Sequence, residues 1–184
     1  AMKRFKKVLA LVLAGVLALA MLTACDGTTD PDKVIPEDGV SPSVVFQVNN
    51  AAANKAWGQA EYSRKYSEVA TKLLENWLNY TNNVYADSTK YPEGPTAKYW
   101  AEYDKAIADL GGAKVVLGLT TDRLIPSDNY TNPTPFTKFK VDNIVATGNE
   151  NAFNLAEKMG VGVVTTKRNG VETKYVVVCL FDVN

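Results

Sequence analysis

Residues 161–178 read VGVVTTKRNGVETKYVVV. Two runs rich in β-branched and aromatic residues, Val161-Gly162-Val163-Val164-Thr165 and Lys174-Tyr175-Val176-Val177-Val178, flank Asn169-Gly170. Asn and Gly both tolerate positive φ, so the pair favours a tight turn and the runs on either side pair as an antiparallel hairpin. Downstream, the second run continues into Cys179-Leu180-Phe181. Cys179 therefore reads as a buried, inert thiol, since a nucleophilic thiolate needs a polar and positive setting. Upstream, Thr147-Gly148-Asn149-Glu150 has the spacing of a capping box. Ala152, Phe153, Ala156 and Met159 then face inward from a short helix that Gly160 ends.

Further upstream the period lengthens. Tyr62, Tyr66, Val69, Leu73, Trp77, Tyr80 and Val84 recur at three and four, with Ala70, Leu74 and Leu78 widening the stripe. Charged and polar residues from Glu61 to Asn79 fill the opposite face, and Ala53, Ala56, Trp57 and Ala60 supply the first turns of this long helix. Tyr91-Pro92-Glu93-Gly94-Pro95 breaks the chain. A second helix starts at Thr96, buries Tyr99, Trp100, Tyr103, Ala106, Ile107 and Leu110, and stops at Gly111-Gly112. Val115 to Leu119 reads as a buried strand, residues 120–138 as a long surface loop, and Phe139-Lys140-Val141 as a further strand. Val44 to Val48 reads as an edge strand at the start of the domain. The expectation is an α+β fold: a small antiparallel sheet with a C-terminal hairpin, packed against two longer helices and one short helix.

The first 44 residues are of another kind. Met2-Lys3-Arg4-Phe5-Lys6-Lys7 is basic, Val8 to Met21 is apolar, and Leu22-Thr23-Ala24-Cys25 follows. A basic start, a short apolar run and small residues at a cut site describe an export signal. The apolar run falls short of the ~20 residues of a comfortable membrane span. Leu22, Thr23, Ala24 and Cys25 resemble the lipobox of bacterial lipoprotein signal peptides. That resemblance implies cleavage before Cys25, a diacylglyceryl thioether on its sulfur, and a chain held on the outer, extracytoplasmic face of the cell membrane. The covalent lipid is then the only prosthetic group expected. Residues 1–24 are the expected signal peptide. Residues 25–44 hold the lipidated cysteine and an acidic flexible linker, and 45–184 one globular domain. As a random coil the linker would separate its ends by about 25 Å.

Formal charge is zero over 184 residues. Setting aside the four basic residues before Cys25 leaves 16 basic against 20 acidic, and the surplus sits in 26–44, so residues 45–184 balance at 15 against 15. A balanced domain lacks the concentrated Lys and Arg that nucleic acid demands. Histidine is absent. That removes the usual general base near neutral pH and the commonest metal ligand, and with them Ser-His and Cys-His pairs and zincin-type sites. Carboxylate pairs such as Glu102 with Asp109, or Asp122 with Asp128, leave a carboxylate-dependent envelope hydrolase as an alternative.

Aromatic residues are distributed unevenly. All three Trp and seven of nine Tyr lie between Trp57 and Tyr103, and no Phe does. Tyr and Trp combine an apolar body with a polar tip and suit surfaces that are wet at one end. Trp57, Tyr85, Tyr91 and Tyr99 are the candidate ligand-facing rings. The leading expectation is a non-catalytic binding or interaction module of the cell envelope, its partner an envelope glycan or protein.

Residues 150–182 carry a further resemblance. A helix, then Gly160-Val161-Gly162-Val163 entering a hairpin, then a strand ending at Phe181 is similar to the tail of the CAP (cysteine-rich secretory, pathogenesis-related) superfamily. The resemblance implies a three-layer α-β-α sandwich that binds lipid or protein. The family's cavity histidines have no counterpart here, and Asp142-Asn143-Ile144 stands where the family carries Glu-Asn-Ile.

Overall fold

The computed structural model describes residues 30–118, 133–168 and 170–184. The signal segment, Cys25, and the loop that holds Asp122 and Asp128 lie outside the described residues. The elements are α1 (Ser41–Asn54), β1 (Glu61–Tyr62), α2 (Arg64–Thr81), α3 (Pro95–Ala108), β2 (Lys114–Leu117), α4 (Glu150–Leu155), β3 (Lys158–Arg168) and β4 (Val171–Asp182), with short 3-10 turns between several of them. Fold class is α+β. The four strands form one sheet in the order β1-β3-β4-β2.

The hairpin dominates that sheet. β3 and β4 pair in continuous antiparallel register from Lys158↔Phe181 to Arg168↔Val171. Gly170 holds φ +77° in the connecting turn, a conformation that glycine adopts without steric cost. β2 adds antiparallel to β4, with a bulge between Val115 and Leu117. The sheet is not wholly antiparallel: β1, two residues long, pairs parallel to β3 through Glu61↔Lys158 and Tyr62↔Met159.

Strand alternation distributes the core to both faces of the sheet. Val176, Val178 and Leu180 join Met159 and Val161 in one apolar cluster, covered by Val44, Val45, Val48 and Ala52 of α1 and Phe153 of α4. Cys179 and Phe181 point the other way, into a cluster with Tyr66, Val69, Ala70 and Leu73 of α2 and Tyr99, Tyr103 and Ala106 of α3. The domain is therefore a three-layer α-β-α sandwich. Gly160 and Gly162 let α2 approach β3 closely: a Cβ on either would fall within 2.6 Å of backbone atoms of Tyr66 or Ala70. Cys179 is fully buried, as read from its apolar run.

Two expected strands are not strands. Val44 to Val48 belongs to α1. Asp38 caps the start of that helix, its carboxylate accepting from Val40 N, Ser41 N and Ser41 Oγ at 2.6–2.8 Å, and Pro42 sits in the first turn, where no amide donor is needed. The buried set Val44, Val45, Val48, Ala52 then follows a helical spacing, while Phe46 is left 54% exposed. Three longer helices, not two, therefore flank the sheet. Phe139 and Lys140 link two 3-10 turns, Phe136–Lys138 and Val141–Asn143, and Phe139 and Val141 pack against the first cluster without joining the sheet. The long central helix begins at Arg64, where Ser63 accepts from Tyr66 N, so Ala53 to Ala60 is not its first turn.

Candidate functional site

The four candidate rings do not meet on one surface. Trp57 packs on Phe153 with ring centroids 5.7 Å apart, against the cluster under α1, and Lys55 Nζ lies 5.0 Å from its ring centre. Tyr85, Tyr91 and Tyr99 belong to the cluster on the opposite face of the sheet. Of these, Tyr99 is 1% and Tyr85 5% exposed, so both are core residues and cannot stack on a ligand as they stand. Only Tyr91 of the three keeps part of its ring in solvent.

What surrounds them is an aromatic rim along α2, α3 and the segment that joins them, with two groups of ring contacts. Tyr99 contacts Tyr80 and Trp100 edge-on at 5.3 Å each, Trp100 contacts Tyr103 at 5.4 Å, and Tyr85 contacts Tyr91 at 5.2 Å. T-shaped pairs at these separations are the favoured arrangement of ring quadrupoles. Trp77, Tyr80, Tyr91 and Trp100 pack on this cluster and remain half-buried. Helical spacing places Trp77 and Tyr80 about one turn apart on α2, and Tyr99 of α3 meets Tyr80, with Trp100 packed on Tyr99 in turn. Trp77, Tyr80 and Trp100 appear in the helical stripes of the sequence. Nothing in periodicity alone separates a ring at the rim of a stripe from one at its centre.

A buried polar network fixes the rim from below. Asn76 is 4% exposed; its Nδ2 donates to the Tyr99 carbonyl and its Oδ1 accepts from the Tyr85 hydroxyl, both at 2.9 Å. Burial pushes the phenols of Tyr85, Tyr99 and Tyr103 above their ordinary range, so all three remain neutral donors at physiological pH. At the edge of the rim, Lys98 Nζ pairs with Glu102 Oε1 at 2.8 Å and lies 5.5 Å from the Tyr91 ring centre. The arrangement offers half-exposed apolar ring faces next to one charged pair, which is the chemistry of a surface that stacks on a flat or weakly polar ligand and hydrogen-bonds its edges.

Glu102 and Asp109 each pair with a lysine. Glu102 is held below its usual range by the Lys98 hydrogen bond, and Asp109 by that of Lys72, 2.9 Å away. Each has its own cation. Asp32, Asp38 and Glu61 are also lowered: burial opposes their charge, and hydrogen bonds outweigh it. A glycosidase acid needs the opposite shift. Among the described residues, no group of three or more Cys, Asp or Glu is placed to hold a metal ion, and no helix is long and apolar enough to cross a membrane. No family model, curated protein or solved structure matches this chain.

Proposed function

We propose that the protein is a membrane-anchored extracytoplasmic lipoprotein whose domain is a non-catalytic binding module of the cell envelope, with an envelope glycan as its ligand. The observation that carries the binding half is the rim of half-buried Trp77, Tyr80, Tyr91 and Trp100 over a rigid, hydrogen-bonded base. Rings that are already ordered lose little entropy on stacking against a sugar face. Lys98 and Glu102 stand beside them for the hydroxyl groups. The address rests on the basic, apolar and Leu22-Thr23-Ala24-Cys25 segments in that order.

Each half has its own test. Cys25→Ser is expected to abolish sedimentation of the protein with membranes. Unchanged processing at the same bond, with unchanged sedimentation, would overturn the address. For the ligand, purified peptidoglycan is the probe. Trp100→Ala, checked for folding by its denaturation midpoint, is expected to bind about tenfold more weakly, or ~1.4 kcal/mol for one lost stacking ring. Equal retention of the folded variant and the parent would remove the rim from the account.

A second reading is favoured by one specific observation. Helices cover both faces of the sheet, as a CAP-like domain requires and an open one-sided sheet would not allow. Such a domain would bind lipid or protein without the family's histidines, since the chain has none.

A further inference from the structure

The acidic stretch behind Cys25 has the composition of a free leash, yet most of it is fastened to the domain. Asp32 is bound to the N-terminus of α2: its Oδ2 accepts from Ser63 Oγ and its Oδ1 from Lys65 N, both at 2.7 Å. Its neighbour Lys33 pairs with Glu61 Oε1 at 2.7 Å, and Glu61 in turn pairs with Lys158 at the start of β3. Ile35 packs on the first core cluster and Val40 is wholly buried. Asp38 caps α1 with its carboxylate, while its carbonyl accepts from Lys174 Nζ at 3.1 Å. Lys174 lies opposite Thr165, seven residues along β3 from Lys158, or about 23 Å. Residues 30–38 therefore form a strap laid lengthwise along the hairpin, from its base toward its tip.

This fastening moves the point at which the domain hangs. Four residues separate Cys25 from Asp30, so the two Cα atoms lie at most ~18 Å apart in fully extended chain. The hairpin tip lies a further ~33 Å from Lys158 along β3. α2 runs from the base in the same direction, so Tyr80 is ~24 Å along its axis from Arg64. Base charges are mixed: Asp32, Lys33, Glu61, Arg64, Lys65 and Lys158. The short leash, not attraction to anionic headgroups, is what would hold this end down.

We propose that the strap seats the domain base-first on the lipid bilayer that holds Cys25, with β1 and the N-terminus of α2 toward the headgroups and the hairpin tip and aromatic rim turned outward. This rests on the lipoprotein reading above. The occupant of the base is a bilayer surface because the chain between Cys25 and Asp30 cannot carry the base far from it.

The full-length protein, purified from membranes, is reconstituted into phosphatidylcholine vesicles containing a trace of rhodamine-headgroup lipid. A donor dye is placed on Arg64→Cys at the base or on Val171→Cys at the tip, Cys179 being buried. Energy transfer to the lipid is expected to be strong from the base and weak from the tip. Inserting a ten-residue Gly-Ser spacer between Gly27 and Thr28 leaves every strap contact intact and is expected to erase that difference; Asp32→Ala is expected to reduce it. Equal transfer from base and tip in the parent, or a difference that survives the spacer, would overturn the seating. Mass spectrometry of the N-terminal peptide separates the two failures. A chain without lipid on Cys25 overturns the address and the seating together, whereas a lipidated chain with equal transfer overturns the seating alone.

Discussion

Gly160→Ala is expected to destabilise the domain by about 3 kcal/mol or more, at the upper end of what overpacking does. A Cβ on Gly160 would stand 2.4 Å from the Tyr66 carbonyl oxygen and 2.6 Å from its carbon. Real Cβ atoms do not approach so closely. Both atoms belong to the backbone of α2, so no side chain can swing aside. The helix as a whole must lift from β3, and it carries Val69, Ala70, Leu73 and Leu74, each at most 2% exposed. Lifting it opens the cluster that holds Cys179 and Phe181. It also breaks the bond from Val161 N to Ser67 Oγ, 3.0 Å, which ties the two elements directly. Gly170 provides the contrast. A Cβ there meets nothing within 4 Å, so Gly170→Ala should cost only the ~1 kcal/mol of a left-handed conformation. Urea denaturation of the two variants checks the ordering. A Gly160→Ala midpoint equal to that of Gly170→Ala would mean that α2 does not rest on β3 as described.

Close approach of this kind is only half legible in sequence. Gly160-Val161-Gly162 announces that one face of a strand lacks side chains, and the alternation assigns both glycines to the same face. It does not say what fills the space. The hairpin was readable because turn and strand signals agree over a short range, and the stripe from Tyr66 to Leu78 because 3.6-residue periodicity survives over several turns. Val44 to Val48 misled for the opposite reason. A β-branched run favours a strand locally, but the Asp38 cap, Pro42 and burial of Val44, Val45 and Val48 against the sheet favour a helix. Tertiary packing decides between them. The strap misled through composition. Asp30, Asp32, Glu37 and Asp38 look like a solvated tether, and only the structure shows that three of the four are caps. Among the candidate rings, the hydroxyl groups of Tyr85 and Tyr99 suggest a wet position, yet both side chains are buried. The partner that lets the Tyr85 hydroxyl stay inside is Asn76, nine residues away and without a pattern of its own.

Asn76→Ala is expected to cost about 3 kcal/mol, roughly two-thirds from polar groups that lose a partner and the rest from the void. The Tyr85 hydroxyl loses its acceptor at 2.9 Å and keeps only Asn79, at 3.5 Å the limit of a useful bond. The Tyr99 carbonyl lies inside α3 and retains its place in the helical ladder, so its loss is the smaller one. Because the two effects share one site, they should not add with a second change at Tyr85. In Asn76→Ala/Tyr85→Phe the orphaned hydroxyl is gone, and the pair should be less destabilised than the sum of the singles by about 1 kcal/mol. Asn76→Asp separates packing from polarity: it conserves volume but sets an ionised oxygen against the Tyr99 carbonyl, where Nδ2 now donates. Folding must then raise that carboxyl pKa, so stability is lost as pH rises from the ordinary carboxylate pKa through the raised folded one, and is regained on acidification. Thermal denaturation at acid and neutral pH reads the sign. A variant equally stable at both would show that the side chain faces solvent, and the rim would then have no fixed base on which to hold Tyr80 and Trp100.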